Sequence, residues 1–185
     1  MHTEAMRLTR LIEDLGRLAE AQQPGLTLKN EQIDLREVVE ERDRIHRDHL
    51  QAKEIALDER LDAAQGYGDR GRIVQIVDNL LSNASRYTDA GGTVTLELAQ
   101  HDREAQLDVI DTGIGIPGED LPYIFERFWR GERSRARRTG GAGVGLAIVA
   151  ELVRANGGRI GVASKSGSGS RFRVMPPSEP PGWGA

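Results

Sequence analysis

Ile73-Val-Gln-Ile-Val-Asp-Asn79-Leu-Leu-Ser-Asn83-Ala-Ser-Arg86-Tyr87 carries two patterns at once. Ile73, Ile76, Val77, Leu80, Leu81 and Ala84 recur at three- and four-residue steps, the spacing of one buried helix face. Gln75, Asn79, Asn83, Arg86 and Tyr87 recur at similar steps and form a polar stripe directly beside it. Many surface helices carry such a stripe as a solvated face. Two asparagines one turn apart, flanked by apolar residues, are less ordinary, because Asn is a mediocre helix former and propensity does not select it. An amide oxygen is a hard ligand suited to Mg2+, which keeps several waters and bridges phosphates. The pattern predicts a helix from about Asp69 to Tyr87 with amides along one edge.

Two further stretches follow in order. Asp111-Thr-Gly-Ile-Gly-Ile116-Pro117 closes a predicted strand, Ala105–Asp111, in which Leu107 and Val109 face inward. Asp111 continues that alternation, and a carboxylate directed into a core must be paired or hydrogen-bonded. It reads as a strand-end cap for the turn at Thr112-Gly113. It reads equally as the acceptor for the exocyclic amine of adenine, with Gly113 and Gly115 letting backbone approach the base. Gly141-Ala-Gly143-Val144-Gly145-Leu146 then precedes a predicted helix, 143–155, with Leu146, Val149, Ala150 and Val153 on its buried face. Amides at a helix N-terminus make an anion site, and glycines let phosphates come close. Such a glycine run is weak evidence alone, and it departs from the dinucleotide-binding fingerprint because a basic loop, not a strand, leads into it.

Around these stretches the chain divides into a short helix, one α/β domain and a tail. Leu8, Leu11, Ile12, Leu15, Leu18 and Ala19 give residues 4–21 a narrow apolar seam that needs a partner helix. Gln22-Gln-Pro-Gly25 ends it and marks a boundary, dividing the chain into 1–24, 25–175 and 176–185. Residues 26–33 read as a strand. Asp34 with Glu37 starts a helix to about Gln51, with Leu35, Val38, Val39 and Ile45 inward. Short strands are expected near 54–60 and 63–67, then Thr93–Leu98 with Val94, Leu96 and Leu98 on one side. Residues 112–142, with six arginines from Arg127 to Arg138, read as a long mobile lid. Strands Arg159–Ala163 and Ser170–Met175 close the domain, and the tail from Pro176 is expected to be disordered. The expected fold is α+β: a two-layer sandwich, with a mixed sheet packed on three helices.

Composition narrows the function. With 185 residues the chain can bury one good core, and a net charge of −4 argues against a general nucleic-acid binder. Aromatic residues are 4%, too few for a base-stacking platform. Zero cysteines exclude thiol catalysis and thiolate metal sites. No apolar run approaches the roughly 20 residues of a bilayer span, and Met1–Arg7 lacks a signal-peptide core, so a cytoplasmic segment is expected.

In order and spacing, the three stretches resemble the N box and the first two glycine boxes of the histidine-kinase ATP-binding domain, the Bergerat or GHKL fold. Tyr123-Ile-Phe125-Glu-Arg127-Phe128-Trp129-Arg130 is similar to that family's F box, and Gly167-Ser-Gly169-Ser170-Arg-Phe172 to its last glycine box. The resemblance covers residues 26–175. It implies ATP and Mg2+ as cofactors, with Asn83 as metal ligand and Asp111 on adenine. Asn79, Arg86 and Tyr87 would line phosphates and sugar, with Gly113, Gly115, Ile116, Gly141, Gly143, Val144, Gly145, Leu146 and Ser170 completing the nucleotide site. Arg130 and Arg135 would stabilise the γ-phosphoryl group. Residues 1–24 are similar to the second helix of a dimerisation and phosphoacceptor hairpin.

The departures bear on activity. Asn156-Gly157-Gly158 stands where His-Gly-Gly is commoner, and Ser170 where Thr is commoner. No histidine is followed by the acidic, Leu, Arg and Pro residues of a phosphoacceptor box; His46 and His49, one turn apart, lack an evident third metal ligand. ATP-hydrolysing members of the superfamily carry Glu at the position of Asn79, and an amide cannot act as that base. The resemblance therefore implies a sensor histidine kinase domain, with Asn79, Arg86, Arg130 and Arg135 as its catalytic groups. It would transfer phosphate to a histidine upstream of Met1 or on another chain. Partners would be the hairpin, a response regulator and a second copy of the kinase, and the parent protein could be anchored in the inner membrane by an upstream sensor segment. Alternatives are an anti-sigma-factor-type serine kinase, against which the F box and the 4–21 helix argue, or a non-catalytic nucleotide-binding module.

Overall fold

The computed structural model describes Gly16, residues 29–129, Gly131 and residues 143–179. Apart from Gly16, which is helical and exposed, the expected 4–21 helix and its boundary lie outside the described residues. So do Arg130, Arg135, Gly141 and the end of the tail.

Of the expected 26–33 strand, residues 26–28 lie outside the described residues and 29–30 are not in a strand; β1 (Glu31–Asp34) runs straight into helix α1 (Leu35–Gln51). Asp34 makes that transition, its carboxylate accepting from the N–H of Arg36 at 3.0 Å and of Glu37 at 3.3 Å. Strands β2 (Ala56–Leu61) and β3 (Gln65–Gly68) come next, and β3 pairs antiparallel with β1 as a separate two-stranded sheet. Asp69 caps helix α2 (Arg70–Tyr87) through the Arg72 N–H at 3.2 Å. Strands β4 (Thr93–His101) and β5 (Glu104–Asp111) form a hairpin. Helix α3 (Gly145–Ala155) and strands β6 (Arg159–Ser164) and β7 (Ser170–Met175) complete the domain.

The main sheet has the order β2-β4-β5-β7-β6, parallel at β2–β4 and antiparallel elsewhere. Its register stacks inward residues in rows. Leu98, Leu107 and Val174 form one row; Leu96, Val109 and Phe172 the next. All six are buried, with Val38, Val39, Ile76, Leu80, Ile148 and Leu152 of the helices above them. A fully buried aliphatic side chain contributes about 1.5–3 kcal/mol, so this layer supplies most of the driving force. The opposite face carries a charge row, in which Asp108 is buried between Arg171 at 3.0 Å and Arg173 at 2.9 Å.

Three expectations need correction. Ile45 does not face the core and is 58% exposed. At about 100° per residue it falls on the flank of the inward stripe that Leu35, Val39, Asp43 and Leu50 follow. That stripe includes a buried acid, Asp43, held by Arg47 at 2.6 Å. On α3 the buried residues are Ala147, Ile148, Val149, Leu152 and Val153, while Leu146 and Ala150 are half-buried. α3 is covered by α2 as well as by the sheet, so its buried face is wider than one stripe. Finally, the tail keeps a defined path as far as Glu179. Tyr67 N–H donates to Pro177 O at 3.0 Å, and Arg103 meets Glu179 at 3.0 Å.

Asn156 explains the tolerated departure at the end of α3. Its Nδ2 donates to Leu152 O at 2.8 Å, and its Oδ1 accepts from Asp69 N–H at 2.9 Å, at the start of α2. It is 2% exposed, so both polar ends are spent inside. Asn156→Ala strands the Asp69 N–H and is expected to cost about 1–3 kcal/mol in urea unfolding. An unchanged midpoint would show that this bridge between the two helices contributes nothing.

Candidate functional site

The next row of the sheet is polar. Val94, Asp111, Ser170 and Ser164 are register partners across β4, β5, β7 and β6, directly beyond the row of Leu96, Val109 and Phe172. The inward alternation that builds the core thus delivers Asp111 and Ser170 to its rim, where they floor a cleft. The cleft holds about 1100 Å³ of free space, part of it open to solvent. Asn79, Ser82, Asn83, Arg86 and Tyr87 of α2 form one wall. Gly143, Gly145 and Leu146 at the start of α3 form another. Gly115, Ile116 and Pro117 after β5, and Asp120, Ile124 and Trp129 of the lid, complete the lining.

Asp111 is 6% exposed. Burial pushes its carboxyl above the ordinary carboxylate range, against the opposing N–H donors of Gly113, at 2.9 Å from Oδ1, and Ser170. The cap reading and the acceptor reading of this residue are therefore compatible: one oxygen takes the turn, and the side chain still lines the cleft. Gly113 does not line the cleft. A Cβ there would sit 2.3 Å from Tyr87 O, so the glycine lets the turn pass under the end of α2. Gly115, at φ +64, would place a Cβ 2.0 Å from Lys165 O of the β6–β7 turn.

On α2, Asn79 donates Nδ2 to Gln75 O at 2.7 Å, which leaves its Oδ1 for the cleft. Gln75 contributes that carbonyl and is not part of the lining. A Cβ on Gly145 would lie 3.5 Å from Asn79 Oδ1 and 3.7 Å from the Asn83 amide, so the asparagine edge directly faces the first turn of α3. Among the described residues, that turn has no side-chain cap and no acidic residue. Its N–H groups are therefore available to an anion, and the helix dipole favours one. Val144 does not line the cleft, and its side chain is fully buried. Arg86 stands at the other end of the wall. Lys53 takes the nearby Ser85 O at 3.0 Å, and burial followed by the Arg86 charge lowers the Lys53 pKa.

The lid begins more firmly anchored than its composition suggests. Through Trp129 it has a defined path: Leu121–Tyr123 forms a short 3-10 turn, Ile124 is buried, and Leu121, Phe125 and Trp129 pack on the core. Phe125 and Trp129, read as part of a mobile loop, are thus its foot, whereas Tyr123 and Phe128 of the same stretch are exposed. Sequence reasoning missed Ser82, Asp120, Ile124, Trp129 and Phe172 as lining residues. The apolar F-box pattern was the available signal for Ile124 and Trp129; Ser82 and Asp120 offered none. His46, by contrast, is no ligand of the site. Its Nε2 meets Asp78 Oδ1 at 3.0 Å between α1 and α2, and His49 is exposed.

This cleft matches a known family. Residues 68–180 match the profile described as histidine kinase-, DNA gyrase B-, and HSP90-like ATPase. The chain belongs to that family. It is 34% identical over 180 residues to the signal transduction histidine-protein kinase BaeS of Escherichia coli, covering 97% of this chain and 38% of that one. It is 35% identical over 182 residues to the sensor histidine kinase RppB of Synechocystis, covering 96% of this chain and 40% of that one. The chain spans well under half the length of these curated relatives. Among solved structures, full-length ShkA in complex with AMPPNP superposes with a TM-score of 0.78 at 29% identity, over 92% of this chain and 35% of that one. The mycobacterial sensor histidine kinase MprB gives 0.71 at 31% identity, over 81% of this chain and 99% of that one. Family, sequence relatives and fold agree on a sensor histidine kinase ATP-binding domain of the GHKL type. Among the described residues, no helix is long and apolar enough to cross a membrane.

Proposed function

We propose that the domain binds ATP with Mg2+ and transfers the γ-phosphoryl group to a histidine on a phosphoacceptor hairpin. The observation that carries this is the facing arrangement of the Asn79/Asn83 edge, the uncapped amides of α3 and the buried Asp111 in one cleft. Asp111 accepts the adenine amine, and the amides of Gly143–Leu146 hold phosphate oxygens. Arg86 and Tyr87 attend the sugar and phosphates. Arg130 and Arg135, outside the described residues, are the proposed partners of the γ-phosphoryl group.

The donor set fits Mg2+ in a particular way. Among the described residues no group of three or more His, Cys, Asp or Glu could hold a metal. The amide oxygen of Asn83 is a neutral hard donor, so an ion here depends on phosphate oxygens and waters for the rest of its shell. When bound, Mg2+ supplies charge neutralisation of the phosphates. Asn83→Ala is expected to remove the Mg2+-dependent part of ATP affinity, about tenfold or more, while leaving affinity in EDTA unchanged. Equal losses with and without the metal would remove Asn83 as its ligand.

Asn79 favours transfer over hydrolysis, because an amide cannot deprotonate water. No described histidine lines the cleft, and the proposed acceptor lies on the hairpin. The acceptor hairpin, a response regulator and a second copy of the kinase are the proposed partners; a histidine kinase with TM-score 0.79 at 22% identity, ThkA, has been solved with the response regulator TrrA. The test is incubation with ATP, Mg2+ and a histidine-bearing hairpin supplied in trans. Acid-labile phosphate on the hairpin histidine is expected. Acid-stable phosphoserine on a partner, or nucleotide binding with no transfer, would overturn the reading.

A further inference from the structure

Ser164 ends β6 in the same sheet row as Asp111 and Ser170, yet it does not line the cleft. Its hydroxyl has three partners. It accepts from Ile116 N–H at 2.8 Å, donates to Gly169 O at 2.8 Å, and lies 3.0 Å from Ser170 Oγ. A serine hydroxyl has one proton and two lone pairs. Gly169 O can only accept, so it takes the Ser164 proton. Ile116 N–H can only donate, so it fills one lone pair. The remaining lone pair must take the Ser170 proton.

We infer that Ser164 fixes the proton of Ser170 away from the cleft and thereby makes the base-binding floor all-acceptor, selecting a 6-aminopurine over a 6-oxopurine. Ser170 Oγ then offers only lone pairs to a ligand, beside the carboxylate of Asp111 on the neighbouring strand. A 6-amino group brings two N–H donors to such a floor. A 6-oxo group sets a lone pair against lone pairs, and that mismatch is rejected because buried acceptors are left without donors. Ser164 is thus a positioning residue. It also holds the Ile116 amide, so it ties the loop after β5 to the β6–β7 turn in the same gesture.

The inference rests on the proposal that Asp111 meets the purine amine, and the experiment separates the two. ATP and ITP share the triphosphate and differ at the 6-position, so the ratio of their dissociation constants isolates base readout from folding and from phosphate contacts. In the wild type the ratio is expected to favour ATP. Ser164→Ala frees the Ser170 hydroxyl to donate, and the ratio is expected to shrink about fivefold or more. Ser164→Thr keeps the hydroxyl and is expected to restore it. Ser170→Ala is expected to shrink the ratio as well, with no further change when Ser164→Ala is added. An unchanged ratio in Ser164→Ala, or additive effects of the two changes, overturns the inference even where Asp111→Asn has weakened ATP binding as expected. ATP binding that survives Asp111→Asn intact overturns the adenine assignment, and this inference with it.

Discussion

Asp111→Asn is expected to lower ATP affinity by about 10- to 100-fold while leaving the unliganded domain as stable as the wild type, or more so. The first half follows from the loss of a hydrogen bond to a charged group, about 1.5–3 kcal/mol, at the one buried carboxylate of the cleft floor. The second half follows from the direction of its pKa. Burial raises the folded-state value above the unfolded one. Asp111 therefore favours folding only when protonated; that contribution is complete at pH below its unfolded value and is lost as pH rises through the folded value. Once ionised, the buried carboxylate is a cost, which a neutral amide of the same shape relieves. Gly113 N–H keeps an acceptor in Asn, although the Ser170 N–H contact constrains which way the amide faces. Thermal unfolding of apo protein at neutral pH, compared with melts at pH 4, checks the sign: any gain should shrink on acidification. A large loss of Tm at neutral pH together with intact ATP binding would reverse both halves.

Gly169→Ala is expected to be the most damaging single methyl group in the domain, costing more than about 3 kcal/mol and abolishing nucleotide binding. Gly169 has φ +86, and an added Cβ would sit 1.9 Å from the backbone oxygen of Asp111. The left-handed conformation alone costs an L-residue roughly 1–2 kcal/mol. The clash cannot be absorbed by a rotamer, because the obstacle is main chain in β5. The strands must part where Asp111 pairs with Ser170, which is the cleft floor. Gly167 supplies the control. It has φ +78 in the same turn, but a Cβ there would meet nothing within 4 Å. Gly167→Ala should therefore cost only the conformational part, about 1–2 kcal/mol. Urea unfolding of both variants measures the difference, and equal destabilisation would show that the contact with Asp111 O relaxes freely. Against a typical domain stability of 5–15 kcal/mol, the larger loss approaches the margin for folding at all.

Legibility differed by element. Strand-rich and helix-rich segments with a strong period read well: α2, β5 and β7 lie within a residue of expectation and β4 starts where expected but runs three residues further, because alternation and 3.6-residue spacing report burial against one layer. α3 and α1 read less well. Each touches two layers, so its buried surface is not a single stripe, and Ile45 on a flank was taken for core. The pairing of β1 with β3 as a second sheet was invisible, since neither segment states its partner. In the site, the asparagine edge, Asp111 and the glycine turn before α3 were legible because amide, carboxylate and glycine are the wrong residues for an ordinary core. Ser164, Asn156 and Asp43 were not. Each is a common polar residue whose meaning lies in partners 4 to 87 positions away, which its own residue type does not announce.

What the amino-acid sequence determined by itself is the inventory: a mixed α/β sandwich, an amide edge beside an apolar helix face, an inward acid at a strand end and a glycine-rich helix start. Local chemistry and periodicity suffice for these, because each is written in residues only a few positions apart. What the tertiary structure alone decided is their conjunction. Cross-strand register sets Asp111, Ser170 and Ser164 in one row. The packing of α3 against α2 brings Gly145 to the two asparagines. Distance, register and the direction of a hydroxyl proton are properties of chain segments meeting in space, and no local pattern encodes them.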